Sequence, residues 1–222
     1  QLSKHVAANK SEKISLIQNK ALELSLFLSI PATVALLIAS NEIISALFGY
    51  GLFDEKSVEN SAKALFYFAL GLPAFSLIKV FSSFYFARHN TKVPFYISLV
   101  SVFVNILISV IFFKKFGFIV IPIATTISSW FNSIILFIYL KKDKYFSFNL
   151  TFLNKFIRIL FSSIIMGSLF VFLMSFFEAN LAYDESYKSF YLISLVMFGL
   201  IMYLVIAILI KAFKISDINL KY

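Results

Sequence analysis

Cysteine is absent from the 222-residue sequence, so disulfides and thiolate metal sites are excluded and the redox compartment is left open. Glycine occurs only six times, too sparsely for a phosphate-cradling loop. No G-x-x-x-x-G-K-[ST], G-x-S-x-G or H-E-x-x-H run is present. The two histidines, His5 near the start and His89 beside Arg88, are read as solvated, and no metal site can be assembled from them. No enzyme is expected, because no nucleophile, metal or acid/base pair stands out. Charge is scarce too, at 14% of residues against about 25% in a soluble domain.

Apolar residues fill the space. They make up 60% of the chain, with a mean hydropathy of +0.90, and they fall in long blocks that a soluble core does not need. The chain is therefore read as an all-α, polytopic membrane helix bundle with six transmembrane helices. The net charge of +9 does not indicate nucleic acid, since the basic residues sit at the ends of apolar spans rather than in one stripe. The start on Gln1, with no signal-peptide pattern, suggests a piece of a longer protein.

In chain order, residues 1–20 form a basic segment with a weak amphipathic pattern, a candidate interfacial helix. Four spans follow within residues 21–140: Ala21–Phe48, kinked by Pro31; Ala62–Phe86; Val93–Phe113; and Gly117–Leu140. An acidic loop, Gly49–Ser61, separates the first two. Residues 141–155 are a basic connector. Residues 156–212 hold two strongly apolar spans, Phe156–Phe177 and Tyr191–Ala212, separated by the polar loop Glu178–Lys188. Residues 213–222 form a basic tail. In the fifth span Ser162, Ser163, Gly167 and Ser168 are small enough for close helix approach.

Lys4, Lys10, Lys13 and Lys20, then Arg88 and Lys92, then Lys141, Lys142, Lys144, Lys155 and Arg158 alternate with loops that hold most of the acids. The positive-inside rule places both termini in the cytoplasm, with Lys114 and Lys115 as the one dissent. The carboxylates are taken to lie in loops or near helix ends, which argues against an embedded carboxylate dyad.

Two features invite function. Lys79 sits inside the second apolar run, where a charge costs about 2.5–3.5 kcal/mol on insertion scales. It lies nine residues, about 13 Å of helix, before Arg88. It either snorkels or pairs locally, or it faces a hydrated cavity that accepts an anionic substrate. Ser98, Ser101, Asn105 and Ser109 share one face of the third span, and Thr125, Ser129, Asn132 and Ser133 share one face of the fourth. These stripes are either interhelical glue or a ligand-lined surface.

The runs LFGYGLFDEKSV and ALGLPAFSLIKVFSSFYFARHNTKVP, followed by GFIVIPIATTISSWFNSIILFIYLKK, resemble the MurJ/MviN lipid II flippase family. That family belongs to the multidrug/oligosaccharidyl-lipid/polysaccharide exporter superfamily. The resemblance is strongest over residues 42–142. It implies the last six helices of a fourteen-helix, two-lobe flippase, with the N-terminal lobe missing from this chain. Lipid II and membrane lipids would be the partners, in a multi-pass inner-membrane setting, with no nucleic acid. Lys79, Asn105, Ser129 and Asn132 would then line the substrate cavity. In a sodium-binding member the ion is held by an Asn and an Asp one turn apart and a Thr in the next helix. Asn105 and Thr125 match, while Ser109 stands at the Asp position. The implied driver is a coupling cation, sodium, or the membrane potential, with no other cofactor. The last two spans would form an apolar groove for the lipid tail. The alternatives are export of another polysaccharide-lipid or a drug, or a non-transporting module that needs a partner chain.

Overall fold

The computed structural model describes residues 11–147 and 149–213. Among them every regular element is helical. In order these are α1 (Ser11–Ile38), α2 (Ser40–Phe48), α3 (Glu55–Ala69), α4 (Leu72–Phe86), α5 (Lys92–Phe116), α6 (Val120–Lys142), α7 (Leu150–Phe176) and α8 (Lys188–Leu209). Short 3-10 turns lie at Gly117–Ile119 and Glu178–Leu181. The all-α membrane bundle is as expected. The six spans map onto α1 with α2, α3 with α4, and then α5, α6, α7 and α8. The last four have 25, 23, 27 and 22 residues, each above the roughly 20 that a hydrocarbon core requires.

Helix boundaries depart from the expected ones where local chemistry overrides hydropathy. The first span breaks at Ala39, a fully buried residue whose φ of −107° leaves the helical range, so α1 and α2 are separate. The break keeps its backbone bonded, because Ala39 N–H reaches Ala35 O and Ile43 N–H reaches Ala39 O. The second span is likewise two helices. Leu70 and Gly71 interrupt it, and Pro73 opens α4 in the first turn, where its missing N–H costs nothing. The acidic loop is shorter than expected, for α3 already begins at Glu55. Asp54 Oδ1 accepts the Ser57 N–H at 2.9 Å as a start cap. The bonds from Ser57, side chain first and then backbone, hold the Asp54 carboxyl below its ordinary value. Residues 11–20 of the expected basic segment belong to α1, with Gln18 and Asn19 buried against the protein. The histidine His5 and the tail lysines Lys214 and Lys221 lie outside the described residues.

The turn between α5 and the 3-10 segment rests on Gly117, at φ +62° and ψ −147°, a region that side chains with a Cβ avoid. It folds α6 back against α5.

Packing groups the chain into two units. Residues 1–29 and 70–153 form one, and residues 30–69 and 154–222 the other. In the first unit α6 packs on α4 and α5 around Phe81, Phe84, Leu136, Leu140 and Phe146, with the Phe84 and Phe146 rings stacked at 5.8 Å. The connector after α6 is docked rather than free. Arg88 donates to Phe84 O at 2.7 Å and Tyr145 O at 3.0 Å, and its guanidinium lies 4.4 Å from the Tyr145 ring. Gln18 also donates to Tyr145 O, Asn19 donates to Ser147 O, and Asn149 N–H returns to Asn19 Oδ1. Burial lowers the Arg88 pKa from its ordinary value, yet arginine remains charged at any physiological pH. Because the guanidinium fork is what bonds two carbonyls at once, Arg88→Lys should loosen the connector. Amide exchange near Tyr145–Asn149 should accelerate, and unchanged protection there would count against this role.

In the second unit Ala39, Ala46, Phe170, Leu181, Leu192 and Leu195 form one apolar cluster, and Ile44, Val58 and Ala62 another. Gly167 permits the close approach expected of it, since a Cβ there would stand 2.6 Å from Val34 Cγ1. Ser162 and Ser163 share this buried face, whereas Ser168 points outward.

Candidate functional site

Lys79 lies at the midpoint of α4, on the side opposite the buried Ala74 and Phe81. It falls in an exposed stripe with Ser83 and Phe86, one and two turns on. Its ammonium has no hydrogen bond or ion pair with any described residue, so among them the locally paired option finds no partner. An exposed, unpartnered cation in mid-helix is costly in lipid, which leaves snorkelling or an aqueous cavity to explain it.

The polar stripes of α5 and α6 do meet. Asn105 Nδ2 donates to Thr125 Oγ1 at 3.1 Å and to Ser128 Oγ at 3.2 Å. One turn away, Asn132 Nδ2 reaches Ser98 Oγ at 3.4 Å, while its buried Oδ1 has no partner. Ser129 is buried and donates to Thr125 O at 2.6 Å. Most of these donors are thus spent inside the seam, which is the behaviour of interhelical glue. Of the expected substrate residues, Asn105, Ser129 and Asn132 gather along this seam, and no hydrogen bond joins Lys79 to them. Of the expected ion residues, Asn105 and Thr125 are brought together. Ser109 is half-buried and makes no hydrogen bond with any described residue.

Two charged residues are not singled out by sequence reasoning. The expected polar loop Glu178–Lys188 ends on Lys188, yet this lysine is 1% exposed and starts α8. Its ammonium donates to Gly49 O at 2.8 Å and to Tyr183 O, and lies 4.5 and 4.6 Å from the Tyr50 and Tyr183 rings. Backbone carbonyls leave no trace in side-chain patterns, so only the neighbouring tyrosines could have hinted at it. Glu42 falls inside the expected first span, but the break at Ala39 puts it in the first turn of α2, where it is half-buried.

Comparison with known proteins gives one consistent result. The family model described as "Lipid II flippase MurJ" matches residues 1–191. The probable lipid II flippase MurJ of Rhizobium tropici is 30% identical over 225 residues, covering 100% of this chain and 42% of that protein. That of Thermotoga maritima is 32% identical over 194 residues, covering 87% of this chain and 37% of its own. A solved structure, "Lipid II flippase MurJ, inward closed conformation", matches with a TM-score of 0.74 and 27% identity, over 95% of this chain and 41% of that one. The chain thus spans less than half the length of these relatives.

Proposed function

The chain belongs to the lipid II flippase MurJ family, and on that premise we propose that it supplies the greater part of one lobe of a bacterial inner-membrane flippase. The whole protein would carry a lipid-linked peptidoglycan precursor across the membrane by alternating access, with both termini of this chain cytoplasmic. The observation that carries the proposal is Lys79, a cation exposed in mid-helix with no partner among the described residues. An anionic head group crossing a hydrocarbon layer needs such a counter-charge along its route. Among the outward residues of α7 and α8, Ile164, Val171, Phe172, Met197 and Leu200 are apolar and suit a lipid tail. No covalent step is part of the proposal. Translocation of lipid II by the intact protein, with no efflux of a cationic dye, supports it. Dye efflux without lipid II movement contradicts it.

Coupling through the α5–α6 seam is assigned to hydrogen bonding rather than to sodium. The Asn105 amide already serves two hydroxyls, and Ser109 offers a neutral oxygen where a carboxylate would give far more field. The melting temperature should therefore be the same in sodium chloride and potassium chloride. A sodium-specific rise that disappears in Asn105→Ala would restore the ion site.

A further inference from the structure

A cavity of about 650 Å³ opens within the second unit, of a size that holds a small organic ligand. Three carboxylates line it, Glu42, Glu55 and Glu178, with the amide of Asn41, and among the described residues no lysine or arginine shares its wall. None of the three carboxylates forms an ion pair with a described residue. The rest of the lining is mainly apolar, including Val58, Val171, Met174 and Leu181.

Glu55 and Glu178 are exposed, whereas Glu42 is half-buried and Ser45, one turn along α2, is only 4% exposed. Both of the deeper residues carry a buried atom without a hydrogen-bond partner, Glu42 Oε2 and Ser45 Oγ. A helical serine ordinarily bonds a carbonyl of the preceding turn, so this hydroxyl forgoes a bond that lies within easy reach. Leaving such groups unsatisfied is costly unless water or a ligand completes them.

The acids do not converge on one point closely enough to chelate a metal among the described residues. They are instead spread over an apolar chamber. We propose that this cavity binds an organic cation, an ammonium group carried on an apolar body. Glu42 and Ser45 would receive the ammonium, Glu55 and Glu178 would add negative potential, and the apolar wall would hold the carbon skeleton. The proposal does not depend on what the flippase transports.

The test is ligand-induced thermal stabilisation of the purified protein, with hexylammonium as the probe, hexanoate and hexanol as charge controls, and calcium chloride as the metal control. Hexylammonium should raise the melting temperature saturably, and the controls should not. Glu42→Gln should shift the half-maximal concentration upward about tenfold, the consequence of losing one close charge-assisted contact. Glu55→Gln changes an exposed residue and should shift it about threefold without disturbing the fold. Equal stabilisation by hexanoate or hexanol would overturn the proposal. So would unchanged hexylammonium binding in Glu42→Gln, or a Glu42-dependent response to calcium alone.

Discussion

Lys188→Met should lower the melting temperature of the protein by about 5–10 °C while preserving the length of the side chain. In the native structure the ammonium ties the start of α8 to the α2–α3 loop through Gly49 O and to the preceding turn through Tyr183 O. Methionine would leave both carbonyls without this donor, at roughly 1–3 kcal/mol each where they are shielded from solvent. It would also remove two cation–ring contacts worth about 0.5–2 kcal/mol together. Relief from burying a charge offsets part of this loss, leaving a net cost of about 2–3 kcal/mol. For a chain of this size each kcal/mol corresponds to about 2–4 °C. A melting temperature within a degree of wild type would mean that the buried lysine contributes nothing to the fold.

Lys79→Ala should have the opposite profile, reducing transport about tenfold or more with little effect on stability. The side chain is exposed and has no partner among the described residues, so its removal should fall within about 0.5 kcal/mol of neutral. A charge-assisted contact to an anionic head group is worth roughly 1.5–3 kcal/mol, and each 1.4 kcal/mol is a factor of ten. Lys79→Arg keeps the charge and should retain most of the transport. Equal loss in the alanine and arginine variants would point to shape rather than charge, and loss that tracks protein level would make the residue structural.

The contrast between these two lysines shows which parts of the molecule were legible in the sequence. Lys79 interrupts a continuous apolar run, and that alone marks it. Lys188 borders a polar loop, where a charge looks solvated, and its partners are carbonyls and rings that no spacing announces. Helix existence followed from hydropathy, but the break at Ala39 carries no glycine or proline and is set by packing. The break before α4 did carry its signal, Gly71 and Pro73, which an unbroken apolar stretch obscured. The stripes on α5 and α6 were readable as faces because helical spacing is regular, and their pairing followed from the short turn between them. The docking of the connector was not readable, since Arg88 and Tyr145 meet across 57 positions of sequence. Glu42 was visible as an acid within an apolar span, though its cavity depends on residues from α3, α7 and the 3-10 turn at Glu178–Leu181.

The most direct test of a flippase lobe with Lys79 on the substrate route is growth after depletion of a bacterium's own lipid II flippase. The intact protein carrying this chain should restore growth, Lys79→Arg should do so nearly as well, and Lys79→Ala should fail at equal membrane abundance. Failure of the well-produced wild-type protein, or full rescue by Lys79→Ala, would contradict the account.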